Sequence, residues 1–349
     1  ILKRQGWKMK MMIRKNRDGS QHSETGSRIG GKTVRGSGLS AIYQKEMADN
    51  IHSRRFLIVL GLLLLTSFAS IYGAVSGLAD AGTGTSDSSF MFLKLFTLNS
   101  GSIPSFTSFI ALLGPFVGLA LGFDAINSER SEGTLNRLVS QPVYRDSVIN
   151  GKFLAGATMI FLMVFSMGIL TGAIGLLAIG IPPVGEELGR IAVFLFFTAV
   201  YICFWLALSI LFSVLCRHAA TSAMLGIALW IFFALFMSLV VSILTGILYP
   251  ADKMYTVSAV MDYYECQADL NRLSPYYLYS EAVSTIMNPS VRTTNVILPQ
   301  QLSGAITGYL SMGQSLLLVW PHLTGLLALT AVVFAISYIS FMRKEIRSR

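Results

Sequence analysis

Charge is what this chain has least of. Only 13% of its 349 residues are charged, and 53% are apolar. A soluble globular chain carries about 25% charged residues. The deficit is uneven, because charges gather in islands and long stretches hold none. That excludes an ordinary soluble domain and points to several membrane-crossing helices. Cysteine and histidine are scarce too. Cys203, Cys216 and Cys266 have no metal-ligand spacing and imply no disulfide framework. The four histidines, His22, His52, His218 and His322, are scattered, and each reads as an interface or surface residue. Bases outnumber acids 27 to 18, a net charge of +9. The excess follows the membrane pattern described below, and no RNA-binding or helix-turn-helix signature accompanies it. Nucleic acid is not an expected partner.

Catalytic groups are also missing. Intramembrane proteases need a Ser/His pair, paired Asp residues or metal ligands inside their spans, and no GxSG, GxGD or HExxH occurs. Glu186-Glu187-Leu188-Gly189-Arg190 approaches an EExxxR motif, but its spacing is one short and it falls in an expected external turn. Gly26 to Thr33 reads GSRIGGKT and matches the phosphate-binding P-loop. That loop needs a buried strand before it, and NRDGSQHSET cannot form one. No catalytic, cofactor or metal site is expected in the chain.

Residues 1–38 are basic, rich in Gly and Ser and almost free of apolar runs, so they are expected to be disordered. Ile1 stands first, and Met9, Met11 and Met12 are candidate starts. No apolar segment follows closely enough for a signal peptide. Residues 39–55 place Leu39, Tyr43, Met47 and Ile51 four apart, with Lys45, Glu46 and Asp49 on other faces. The pattern predicts an amphipathic helix lying along a membrane surface; a plain solvated connecting helix is the alternative.

Six apolar runs follow, at 56–74, 106–123, 153–179, 191–215, 219–248 and 316–342. Each reaches or approaches the roughly 20 residues that cross about 30 Å of hydrocarbon. None has a Lys, Arg, Asp or Glu in its middle, where one costs about 2.5–3.5 kcal/mol. Ion-coupled carriers usually keep such a residue, so that mechanism is disfavoured. The fold class is an all-α integral membrane protein with six spans. Of its 27 Lys and Arg residues, 22 fall in the tails, the 124–152 loop and the 216–218 turn, and 5 on the other side. The positive-inside rule then predicts a multi-pass plasma-membrane protein with both termini cytoplasmic. Gly114, Gly118 and Gly122 form a doubled small-xxx-small pattern in the second run, for packing within the chain or between subunits. Residues 75–105 read as loop. Residues 249–315 form an external segment with helical pieces broken at Asn288-Pro289. Its tyrosines, Tyr255, Tyr263, Tyr264, Tyr276, Tyr277 and Tyr279, suit an interface belt or a substrate-facing lid.

The 127–152 stretch, NSERSEGTLNRLVSQPVYRDSVINGK, is polar and joins the second and third runs. Asn127 or Ser131 is a candidate cap for a helix running to about Ser140, with Glu129 and Glu132 in its early turns where the helix dipole favours acids. Pro142 stops it. Glu129, Glu132, Gly133, Thr134, Leu135, Leu138, Pro142, Arg145, Val148, Gly151 and Lys152 resemble the cytoplasmic signature of type-2 ABC-transporter permeases. The 42–57 stretch with Lys45 and Glu46 resembles that family's entry to the membrane, and the stretch from Ser274-Pro275 to Asn288-Pro289 its external segment. The resemblance covers 39–349, a single permease domain. It implies a subunit that pairs with a second permease copy, identical or not, and is driven by separate soluble ATPase subunits that carry the ATP and Mg. The 127–141 loop would be the coupling helix, with Glu129, Glu132, Gly133, Thr134, Arg137, Leu138, Pro142 and Arg145 receiving the ATPase motion. Export is the implied direction. An ATP-independent secondary carrier or channel is the alternative.

The topology has a direct check. In a background without native cysteines, a cysteine at Ser131 should react only with membrane-permeant thiol reagents, and one at Ser280 with impermeant ones. The opposite pattern would invert the orientation.

Overall fold

The computed structural model describes residues 34–80, 90–99, 103–131, 144–180, 182–250, 256–291, 293 and 309–344. The expected disordered tail therefore lies almost wholly outside the described residues. Ile1–Gly36 and Ser37–Arg349 are two separate units. Of the first, only the opening turn of a helix is described.

Every described element with regular structure is a helix. They are α1 (Val34–Ile51), α2 (Arg54–Asp80), α3 (Met91–Thr97), α4 (Phe106–Gly122) and α5 (Asn127–Ser131). Then follow α6 (Arg145–Ile179), α7 (Gly185–Leu215), α8 (Ala219–Leu248), α9 (Val257–Asn271), α10 (Pro275–Met287) and α11 (Met312–Arg343). Six are long and apolar enough to span a membrane: α2, α4 with its continuation through α5, α6, α7, α8 and α11. The chain is thus a six-span helical membrane protein. Its two ends can be told apart by their helices: α1 and α5 lie at one (the near end), and α3, α9 and α10 at the other (the far end).

The helix α7 is the axis. In its most apolar stretch 83% of residues are buried, against 11% in α8 and 17% in α11. Its core is aromatic: Phe194, Phe197, Tyr201 and Trp205 are all enclosed. The poorly buried spans carry Leu57, Ile58, Leu65, Ile247 and Leu317 on the outside. Such faces are stable only against lipid tails or another apolar subunit.

The three glycines of α4 explain how it reaches α7. A Cβ on Gly118 would lie 2.6 Å from the Ile202 carbonyl oxygen and 2.8 Å from the Leu206 nitrogen. One on Gly122 would lie 2.8 Å from Ser209 Cβ, and one on Gly114 3.1 Å from Ile202 Cγ1. The two backbones touch, and Ser209 Oγ donates to the Leu119 carbonyl at 3.0 Å across the contact.

Several boundaries differ from those expected. The surface helix runs Val34–Ile51 rather than 39–55, and the chain breaks at His52–Ser53. The Ser53 hydroxyl accepts from the Phe56 amide at 3.1 Å and caps α2. The 75–105 stretch is not all loop. It holds α3, whose Phe92, Leu93, Leu95 and Phe96 are buried; four apolar side chains in five residues outweigh the Gly/Ser-rich flank. Glu186 to Arg190 are not a turn but the first turns of α7. The Glu187 carboxylate accepts from the Val184 amide at 2.9 Å and from the Phe92 amide at 3.0 Å. One acid therefore caps the N-termini of α7 and α3 together. The helical pieces of 249–315 are α9 and α10, the second ending at Asn288 as expected.

Replacing Gly118 by Ala should push α4 off α7, because the new methyl meets backbone that cannot rotate away. Thermal unfolding in detergent should show a loss of about 1–3 kcal/mol. The same change at Gly61, which has nothing within 4 Å, should be neutral.

Candidate functional site

Lys152 stands at the start of α6, in the third turn of a helix of 35 residues. At 1.5 Å per residue that helix is about 52 Å long, so its first turns project beyond about 30 Å of hydrocarbon. The Lys152 side chain is nonetheless 6% exposed. A buried ammonium must be paired to be tolerated. Glu46 of α1 lies 2.7 Å from its Nζ and Glu129 of α5 2.9 Å. Lys45 adds longer contacts to Glu129 at 3.8 Å, Glu46 at 3.6 Å and Asp49 at 3.9 Å. Beside Lys152, Gly151 admits Ile42 of α1, which a Cβ would meet at 2.8 Å. The result is a knot in which one lysine holds α1, α5 and α6 together.

The chain folds into this knot for local reasons. The turn at Phe123–Ile126 ends α4, and the Ser213 hydroxyl of α7 accepts from the Ile126 and Asn127 amides at 2.9 and 3.2 Å. The cap of α5 is thus supplied by α7. Asn127 does not serve as the expected cap, since it lies inside the helix; Ser131 Oγ donates to the Ser128 carbonyl, and the segment it is expected to cap lies outside the described residues. With its amide nitrogen toward α7, Asn127 donates to the Ser213 and Cys216 carbonyls at 2.9 and 2.8 Å. Arg55 at the head of α2 pairs with Asp124 and stacks over Phe123 at 5.0 Å. A cavity of about 660 Å³ opens among α1, α2, α4 and α5, lined by Lys45, Glu46, Arg54, Arg55, Asp124, Glu129 and Lys152, with Phe56, Val59 and Val117 as its apolar wall.

Of the residues expected to receive ATPase motion, Glu129 is enclosed in this knot. Arg145 reaches the far side of the same end, where it donates to the Phe341 and Lys344 carbonyls at 3.1 and 2.9 Å. Glu132, Gly133, Thr134, Arg137, Leu138 and Pro142 lie outside the described residues. Lys45 and Glu46, expected on the surface helix, join Glu129 around Lys152. Sequence reasoning missed Lys152 as the hub, along with Asp124 and Arg55. The available signal was a lysine directly before an uninterrupted apolar run.

The far end has its own wiring. Arg190 is wholly buried. Its guanidinium makes five hydrogen bonds: two to Glu186, and one each to the Ile286 carbonyl, the Leu310 carbonyl and Ser315. That matches its five donors. Tyr279 belongs neither to a belt nor to a lid. It is fully buried, shares a 2.8 Å hydrogen bond with Thr198 and stacks on Tyr201 at 4.2 Å. Tyr264 is exposed, and Tyr255 lies outside the described residues. Glu281 receives Arg272 at 2.9 and 3.1 Å and His322 at 2.8 Å. Burial raises the Glu281 carboxyl, but the bonds from His322 and Arg272 outweigh it and hold the group below its usual range. Among the described residues no group of three or more His, Cys, Asp and Glu could hold a metal ion.

A profile of ABC-2 family transporter proteins matches residues 40–346. The chain belongs to this family. Two relatives are each called probable ABC transporter permease protein NosY. The chain is 28% identical to that of Pseudomonas aeruginosa over 200 residues, 57% of this chain and 67% of the relative. It is 28% identical to that of Stutzerimonas stutzeri over 204 residues, with the same coverage. As a six-span member of the family, the chain is an ABC transporter permease. The ATP-independent carrier or channel gives way to that assignment.

Removing the hub should strand two acids. Lys152→Met takes from Glu46 and Glu129 their nearest cation, leaving the longer contacts to Lys45, and should cost about 3–5 kcal/mol of stability. Adding Glu46→Gln and Glu129→Gln should recover a large part of it, as read by thermal unfolding of the three proteins side by side.

Proposed function

We propose that this permease is driven by a separate cytoplasmic ATPase subunit that docks on the 127–141 loop, and that it works as an exporter. In this reading both termini and the knot around Lys152 face the cytoplasm of a plasma-membrane protein. ATP and Mg belong to the ATPase, and a second permease copy, identical or not, completes the pathway. The observation that carries the proposal is the knot itself, within a family profile spanning 40–346. Glu129, the last acid before the 132–143 segment, is tied through Lys152 to α6 and to α1.

A push on the loop is therefore delivered to three helices at once. Glu129 moves α5, which continues α4, and α4 is locked to α7 by backbone contact at Gly118. Lys152 passes the same displacement to α6, and Glu46 passes it to α1. Glu132, Gly133, Thr134, Arg137, Leu138 and Pro142 supply the docking surface, while Glu129 and Arg145 anchor it. Export is supported by the family resemblance alone. The two NosY relatives are named as permeases, which agrees with a partner-driven subunit and does not identify a substrate.

Purification of the tagged chain from its native membrane in mild detergent should bring down a stoichiometric soluble ATPase. Reversing the charges of Glu132 and Arg137 should release it. With Glu132→Arg or Gly133→Trp, reconstituted complexes should insert normally, keep ATP hydrolysis and lose transport. Transport at the wild-type rate in both variants would refute the coupling role.

A further inference from the structure

The histidine in the last span is held in a way that leaves one atom unanswered. His322 is 4% exposed and stands ten residues into α11, inside the apolar stretch. Its Nε2 lies 2.8 Å from Glu281 Oε2. A carboxylate only accepts, so Nε2 carries the proton. Its Nδ1 is buried and has no hydrogen-bond partner. Arg272 occupies the Glu281 carboxylate from the other side through two nitrogens. Within the triad, Nδ1 of the neutral imidazole is thus the atom with a lone pair left to bind a ligand. An ionisable side chain inside a span is rare and expensive, and pairs of this kind serve as proton sites.

We propose that His322, Glu281 and Arg272 form a proton-binding site, filled at His322 Nδ1, whose loading rearranges the contact between α10 and the last span. Its ligand is a proton from the far side of the membrane. Binding turns the imidazole into an imidazolium with a second N–H. That buried N–H has no acceptor in the present arrangement, so the charged form favours one in which the ring or α10 has moved. The neighbouring helix is built to yield there. Pro321, immediately before His322, interrupts the hydrogen-bond ladder of α11. Ser274, which caps α10, donates to the Phe233 carbonyl within a π-helical turn of α8, Phe232–Phe236. Such turns are local weak points that recur at functional sites.

The charged and titratable surroundings of His322 are few. Glu281 and Tyr277 come from α10, and Arg272 with its partner Asp269 from the end of α9. Arg190 and Glu186 of α7 sit two turns earlier along α11, where Arg190 meets Ser315. On α6 the charged residues are all at the near end. Among the described residues no neighbour offers a hydrogen bond to Nδ1. The site is independent of which ATPase drives the permease.

The test uses the full chain in lipid nanodiscs with ¹⁵N-labelled histidine. Spin labels go at Ser284 on α10 and Leu154 on α6, both exposed. Between pH 8 and pH 5, the His322 signal, assigned by its loss in His322→Gln, should pass reversibly from the Nε2-protonated neutral ring to the imidazolium. The distance distribution between the labels should shift over the same range. His322→Gln keeps a donor for Glu281 but cannot titrate, and should hold the pH 8 distribution throughout. Should that variant not fold, Glu281→Gln serves in its place: it keeps an acceptor for Nε2–H but removes the charge that favours the imidazolium, so the pH 8 distribution should persist to lower pH than in the wild type. A ring that stays neutral at pH 5 would overturn the proposal. So would protonation without a shift, or a shift that survives in His322→Gln.

Discussion

One enclosed ammonium group organises the near end of this protein. Lys152 is enclosed, and an unpaired charge there would be far more costly than any contact nearby could offset. Its two carboxylate partners come from helices far apart in sequence, Glu46 from α1 and Glu129 from α5. Satisfying one cation thus fixes where the surface helix lies and where the loop between the second and third spans begins. Ile42 against Gly151 then adds apolar contact in the same place. The helix α1 has a weakly amphipathic sequence, and its position follows more from this tether than from its own pattern.

A second constraint runs along the length of the bundle. Because α4 meets α7 backbone to backbone, the pair moves as one body. Side chains that interdigitate can slide over one another; a glycine pressed on a carbonyl cannot without opening a gap. The buried aromatic column of α7 has the same effect on its other faces. The less buried α8 contributes fewer enclosed side chains to this body, so relative motion has most freedom between it and the α4–α7 pair, whereas α11 packs along α7 as extensively as α4 does.

The spans were legible because hydrocarbon imposes a length and forbids charge, and both rules act on local sequence. The capping of α10 by Ser274 with Pro275 behind it was legible for the same reason. What escaped were the pairings. Nothing within a few residues of Lys152 announces Glu46 or Glu129, because their meeting depends on three helices converging. Tyr279 looked like a member of an interfacial tyrosine set, yet Thr198 and Tyr201 of α7 take it into the core. Arg190 and Glu187 read as polar turn residues because a charge cluster beside an apolar run looks like its boundary. The helix simply extends through them, since each finds its hydrogen bonds on neighbouring elements. His322 was easy to set aside as one scattered histidine, and only its contact with Glu281 sets it apart from the others.

The two ends are wired differently, and that difference gives the bundle a direction. At the near end ion pairs bind the loop to α6 and α1, so force entering there is shared. At the far end α10 is tied to α7 through Arg190 and Tyr279, to α8 through Ser274 and to α11 through Glu281. When the α4–α7 body, with α11 packed along it, shifts against α8, these links cannot all be kept. Those to α7 are a saturated guanidinium and an enclosed tyrosine, both costly to break. The one to α8 is a single hydroxyl bond ending on a π-helical turn. The shorter helix should therefore stay with α7, and the gap should open on the side of α8.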